Sequence, residues 1–185
     1  YEMPEDCSYA IEGENEMIQS TMSDLILMIA LDIAFIYLIM VAQFQSLLSP
    51  FIVLFTIPLA FTGGLLALWI TGKELSVIAM LGFLMLAGVV VNNGIVFVDY
   101  ANGLRLEGME RVEALVQTGR DRIRPILMTA MTTIFGLATM ALGLGAGGDM
   151  LQPLAIVTIG GLTYATLLTL LVVPVLYDIF RKKPL

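Results

Sequence analysis

The sequence predicts an all-α membrane protein: five transmembrane helices and a short amphipathic helix lying along the membrane surface. Three observations predict it. The 185-residue chain is 58% hydrophobic and only 14% charged, whereas soluble domains run near half apolar and a quarter charged. Five segments are mainly apolar over about 20 residues, the length a helix needs to cross a bilayer. Most of the charges fall outside those segments, gathered in the tract before them, the connections between them and the tail after them.

The spans are expected at about 24–43, 51–71, 76–99, 125–146 and 153–179. Between them lie QFQSLLSP, TGKEL, a polar stretch near 102–124 and the glycine-rich GLGAGGDMLQP. The third and fifth spans are long enough to tilt or to project from the hydrocarbon. Five is an odd number of crossings and the first residue is not Met. The chain is therefore expected to be an internal or C-terminal piece of a longer polypeptide. No basic segment precedes a cleavable apolar run, so no signal peptide is visible.

Orientation follows from the basic residues. Arg105, Arg111, Arg120, Arg122 and Arg124 lie between spans three and four, and Arg181, Lys182 and Lys183 follow span five. Two crossings separate the groups, so both can face the cytoplasm, as the positive-inside rule requires. The N-terminal tract, with Glu2, Glu5, Asp6, Glu12, Glu14 and Glu16, is then outside and the C-terminus inside.

In GMERVEALVQTG, Met109, Val112, Leu115 and Val116 recur at helical spacing with charges on the remaining face. The pattern suits an interfacial amphipathic helix over about 106–119. Pro125 would then open span four, where its missing N–H is not needed.

Composition also limits function. With a net charge of −7 and no basic surface domain, a nucleic-acid partner is not expected. There is no histidine, and Cys7 is the single cysteine, which leaves no disulfide framework and no visible metal or cofactor site. The GAGG run lacks the lysine-containing end and the preceding strand of a phosphate loop. The methionines are scattered through the spans in the manner of packing residues rather than a metal ladder. No nucleophile–base pair suggests an enzyme.

Polar groups inside the spans need a reason, because an unpaired one in hydrocarbon costs several kcal/mol by transfer estimates. Asn92, Val96 and Asp99 share one face of span three, and Asn93 points about 100° to the side. Thr129, Thr132 and Thr133 of span four are expected at depths between Asp99 and Asn93. Two readings stand: a polar relay for protons or ions, or interhelical glue worth about 0.6–2 kcal/mol per contact. Backbone bonding is an alternative for the threonines, and pairing with Arg105 or Arg122 for Asp99. Asp32 lies about 12 Å into span one at 1.5 Å per residue. A carboxyl there is protonated, faces a wet cavity or has a partner; it is a candidate proton or cation site.

AQFQSLLSP at 42–50, Pro58, GVVVNNGIVFVDYAN at 88–102, RIRPILMTAMTT at 122–133, PLAIVTIGGL at 153–162 and LLVVPVLYD at 170–178 follow in order. Together they resemble the resistance–nodulation–division (RND) transporters, with AcrB-like multidrug exporters most similar. The resemblance covers nearly the whole chain. It implies that the five spans are helices 8–12 of a twelve-helix transporter. Residues 1–22 would be the tail of an outer, porter-like domain, and 23–185 the membrane bundle.

The resemblance further implies a proton-driven antiporter of the bacterial cytoplasmic (inner) membrane, a homotrimer when complete, exporting hydrophobic or amphiphilic compounds. The remaining N-terminal part of the chain, a periplasmic adaptor and an outer-membrane channel would be partners, with the proton as coupling ion. Carboxylates on the fourth helix would meet Asn92 and Asn93 of the tenth and Arg122 and Thr129 of the eleventh. The multidrug exporters carry lysine where Asn92 stands; an amide hydrogen-bonds a carboxylate but cannot switch an ion pair. Asp32 is unusual for the eighth helix and is a candidate compensating carboxylate. Lipid exporters and SecD/SecF-like translocation accessories share the fold, and a non-transporting sensing bundle remains a further reading.

Overall fold

The computed structural model describes residues 13–144 and 147–180. The described residues form six helices and no strand: α1 (Glu14–Phe44), α2 (Leu48–Leu54), α3 (Thr56–Thr71), α4 (Val77–Leu106), α5 (Arg111–Ala141) and α6 (Gly148–Phe180). With α2 and α3 taken as one interrupted span, five are long and apolar enough to cross a membrane. The expected five-span, all-α architecture is thus present. Glu2, Glu5, Asp6, Cys7, Glu12, Gly145, Arg181, Lys182 and Lys183 lie outside the described residues.

Helix ends follow local chemistry. Gln45 stops α1 in the left-handed region at φ 47°, and the Ser46 hydroxyl accepts the Leu48 N–H at 3.3 Å as α2 begins. The second span is broken at Phe55. Pro58 has no N–H to offer the Leu54 carbonyl four residues back, and the buried Thr56 donates its hydroxyl to the Val53 carbonyl at 2.6 Å. Gly72 ends α3 at φ 65°, a conformation glycine adopts without steric cost. Ser76 caps α4 by accepting the Ala79 N–H at 3.2 Å, filling one of the vacant donors of a helix start.

The connection between spans three and four differs from expectation. Helix α4 runs on to Leu106, and α5 begins at Arg111, so only residues 107–110 turn the chain. The amphipathic segment expected at about 106–119 is helical from Arg111 but continuous with span four, and Pro125 lies inside α5 rather than in its first turn. Bilayer thickness limits the apolar length of a span, not the length of its helix. An interior proline is tolerated where local adjustment satisfies the freed carbonyl. The segment's inward face also differs. Ala114, Leu115 and Thr118 are buried, whereas Val112 and Val116 are exposed.

Helix α4 is the most enclosed and packs against all the other spans, while α1 and α5 are the least enclosed. The α3–α6 seam is built on glycine. A Cβ on Gly63 would lie 2.5 Å from Tyr164 Cβ and 3.1 Å from the Gly160 carbonyl oxygen, and one on Gly160 would meet Ala67. Lipid is as apolar as leucine, so close backbone approach and dispersion, rather than water expulsion, hold such a seam.

Candidate functional site: the uncovered face of α4

One stripe of α4 is left uncovered by the other helices. Leu81, Met85, Gly88, Asn92 and Asp99 are all exposed, and steps of three, four and seven residues place them on one helix face. The adjacent Asn93 is turned inward and only 7% exposed. Asn93 follows Leu86 by seven residues and Gly82 by eleven, so it shares their face. That face packs on α6: a Cβ on Gly82 would lie 3.0 Å from the Leu154 carbonyl oxygen, and one on Gly161 would meet Leu86. The two amides therefore serve different surfaces.

Cross-helix contacts set the register of α4 against α5. Tyr100 donates its hydroxyl to Asp121 Oδ2 at 2.8 Å, and the Arg122 guanidinium stands 4.4 Å above the Tyr100 ring. The helices are antiparallel, so Asn92, eight residues before Tyr100, is level with Thr129, eight residues beyond Asp121. Thr132 and Thr133 lie further from the α4–α5 turn, level with Val89 and Gly88, and not between Asp99 and Asn93 as expected. The shift arises because α5 begins well before Pro125. All three threonines donate to their own helix: Thr129 to Pro125 at 2.9 Å, Thr132 to Met128 at 2.8 Å and Thr133 to Thr129 at 2.9 Å. Thr129 is thus brought level with Asn92, without a hydrogen bond between them.

Asp99 forms no ion pair among the described residues, because its expected partners are engaged elsewhere. Arg105 Nη1 donates to the Tyr177 hydroxyl at 3.3 Å, and Arg122 stacks on Tyr100. Arg122 Nε is buried and has no acceptor among the described residues. Such a donor is costly to leave unmet. The end of the bundle at the α4–α5 turn therefore carries a guanidinium held in place by an aromatic face, with spare hydrogen-bonding capacity, beside a stripe holding an amide and a carboxylate.

Asp32 is not brought to Arg122. It lines a groove of about 520 Å³ between α1 and the uncovered stripe of α4. No set of three or more His, Cys, Asp or Glu residues that could hold a metal occurs among the described residues.

The profile of the AcrB/AcrD/AcrF family matches residues 1–181. The chain belongs to this family of RND transporters. Swarming motility protein SwrC of Bacillus subtilis (strain 168) is 41% identical over 184 residues, covering 97% of this chain and 18% of that protein. Cobalt-zinc-cadmium resistance protein CzcA of Cupriavidus metallidurans is 39% identical over 171 residues, covering 92% of this chain and 16% of the relative. A crystal structure of a heavy metal efflux pump superposes with a TM-score of 0.84 at 35% identity, covering 97% of this chain and 18% of that one. The chain thus spans less than a fifth of these RND relatives, and it is a multi-pass membrane segment of the same fold.

Sequence reasoning missed several polar groups of this RND segment. The wholly buried Tyr177 of α6 donates to Asn102 Oδ1 at 2.5 Å, and Asn102 Nδ2 donates to Ser49 Oγ at 3.5 Å. Arg111 Nε lies 2.7 Å from Asp178 Oδ1, but its N–H is not aimed at that oxygen, since neither atom makes a hydrogen bond. With both side chains partly exposed, at 26% and 44%, that pair contributes about 0–1 kcal/mol. Thr166 and Thr169 are buried on α6 with hydroxyls that have no partner among the described residues. The threonine stripe at 158, 166 and 169 was the available signal, being three hydroxyls on the helical face that also carries Val173 and Tyr177.

Proposed function

We propose that this chain is the C-terminal membrane portion of a proton-driven RND exporter of hydrophobic or amphiphilic compounds. It supplies the tenth- and eleventh-helix side of the proton relay through Asn92, Asp99, Thr129 and Arg122, while Asn93, turned inward toward α6, holds the packed face of the same helix. The supporting observation is the uncovered α4 stripe, the face that carries Asn92 and Asp99. Carboxylates from the remaining N-terminal part of the transporter would meet Asn92 there, with Thr129 at the same depth and the Arg122 Nε donor below. Asn92 carries no charge, so it would read their protonation through hydrogen-bond polarity: accepting from a protonated carboxyl and donating to an ionised one.

The basic residues of 105–124 favour a cytoplasmic α4–α5 turn, with the N-terminus outside the bacterial inner membrane and the C-terminus inside. Trimer formation and coupling to a periplasmic adaptor and outer-membrane channel belong to this reading, as does the proton as coupling ion.

The test is pH-gradient-driven dye efflux by the complete transporter in everted vesicles. Asn92→Ala is expected to lower it by about tenfold or more at unchanged expression, in keeping with the usual size of a lost proton-transfer contribution. Wild-type efflux would remove Asn92 from the relay. A second cargo, divalent metal ions, is supported by the 35% identity to the heavy metal efflux pump. Zinc, cobalt or cadmium export without dye export would select it.

A further inference from the structure

The carboxyl of Asp32 is not used in the relay just described, yet its surroundings are those of a working group. Met28, Leu31 and Phe35 of α1 and Leu81, Met85 and Gly88 of α4 line its groove, which has a volume of about 520 Å³. None of the groove's other lining residues carries a charge. The nearest titratable groups on the two helices are Asp24, about two turns outward on α1, Tyr37, about a turn and a half inward, and Asp99 on α4. The α2 segment that also packs on α1 has none. Among the described residues, no base forms an ion pair with this carboxyl.

Placement adds the second observation. The groove is floored by the same α4 stripe that carries Asn92, and Gly88 leaves open space where a side chain would close it. Helices α1 and α4 run in the same direction through the bundle. From Gly88, Asn92 is about 6 Å further toward the cytoplasmic end and Asp99 about 16 Å, at 1.5 Å per residue. The Asp32 carboxyl of α1 thus faces the α4 stripe at its start, and the Asn92 amide and Asp99 carboxyl follow along that stripe toward its inner end. An ionised carboxyl in an apolar groove needs water or a cation, whereas a protonated one can pack there as a neutral hydrogen-bonding group.

We propose that Asp32 is a proton-binding site of the membrane domain, in an α1–α4 groove whose α4 lining ends one helical turn short of Asn92 on the same stripe. In each cycle the carboxylate takes one proton from water on the outer side, becomes neutral and lets α1 close onto α4. It returns the proton to water that enters along the Asn92–Asp99 stripe. This inference deepens the exporter reading and rests on it.

The test uses the complete transporter in membranes. Dicyclohexylcarbodiimide, which reacts with protonated carboxyls in apolar surroundings, is expected to modify the peptide containing Asp32 at mildly acidic pH. Modification should fall by about tenfold or more at alkaline pH, in line with titration of a single carboxyl, and should vanish in Asp32→Asn. Asp32→Asn should lower proton-driven transport by about tenfold or more, while Asp32→Glu keeps transport with a displaced pH profile. An unmodified Asp32 in protein that transports normally overturns the proposal. So does Asp32→Asn with a wild-type rate and pH profile. If Asn92→Ala transports normally while Asp32 is modified and required, the relay reading fails and this one stands.

Discussion

The phenol of Tyr177 donates to Asn102 Oδ1 across 2.5 Å, joining α6 to α4 at a tyrosine with no solvent exposure. Arg105 donates to the same phenol oxygen, and Asn102 reaches Ser49 at the start of the broken second span. Three spans are thereby tied at the end of the bundle where the α4 stripe meets Arg122. A partly buried network of this kind fixes relative helix position more than it adds gross energy, because its buried members, Ser49 and Tyr177, are costly to leave unpaired.

Tyr177→Phe keeps the ring and deletes the hydroxyl. Asn102 Oδ1 then loses one donor and Arg105 one acceptor, at a cost of about 0.5–1.5 kcal/mol for a hydrogen bond removed. Thermal unfolding in detergent should show a clear drop in midpoint. An unchanged midpoint would mean the network contributes no stability.

The number and approximate position of the spans were legible because bilayer thickness fixes the apolar length needed, and composition reports that directly. Helix ends were less legible. Residues 111–124 are helical but charged, so hydropathy cut the fourth span at Pro125 although the helix begins at Arg111. The split between Asn92 and Asn93 followed from 100° of rotation per residue. The partnership of Tyr177 with Asn102 did not. Those residues are 75 apart, and local periodicity carries no information about which helices meet. Asp99 misled for a related reason: nearby arginines suggested an ion pair, but aromatic and phenolic partners from neighbouring helices hold Arg122 and Arg105.

Gly161→Ala should loosen the bundle core. Its new Cβ would meet Leu86 and stand 2.9 Å from the Ala60 carbonyl oxygen, and backbone cannot yield as a flexible side-chain tip can. Overpacking of this kind costs about 1–3 kcal/mol. Gly136→Ala is the control, since nothing lies within 4 Å of its Cβ position, and it should be neutral or stabilising by up to about 1 kcal/mol. Parallel melts of the two variants check the contrast; equal midpoints would refute the close seam.

Thr169→Val should not destabilise. The Thr169 hydroxyl is buried without a partner among the described residues, so replacing it with a methyl group removes an unmet polar atom and should gain up to about 1 kcal/mol. Thr158→Val should behave oppositely, because the Thr158 hydroxyl donates to the Leu154 carbonyl at 2.8 Å. A loss of stability in Thr169→Val would reveal an ordered water serving that hydroxyl.

The last prediction separates charge from placement at the mouth of the proposed relay. Tyr100 does two things: its hydroxyl binds Asp121, and its ring supports Arg122 from 4.4 Å. Tyr100→Phe removes the first and keeps the second. The Asp121 bond is exposed and is shared with Gln117, which donates to the same oxygen at 2.9 Å, so transport should change little. Tyr100→Leu removes both, and Arg122 loses a cation–π contact worth about 0.5–2 kcal/mol. Arg122→Gln removes the charge itself. In the complete transporter, efflux rates should rank wild type close to Tyr100→Phe, then Tyr100→Leu, with Arg122→Gln lowest. Arg122→Lys should fall below wild type because a lysine ammonium lacks the planar fork that can stack and donate at once. If Tyr100→Leu matched wild type while Arg122→Gln did not, only the charge of Arg122 would matter, and its place above the ring would have no part in transport.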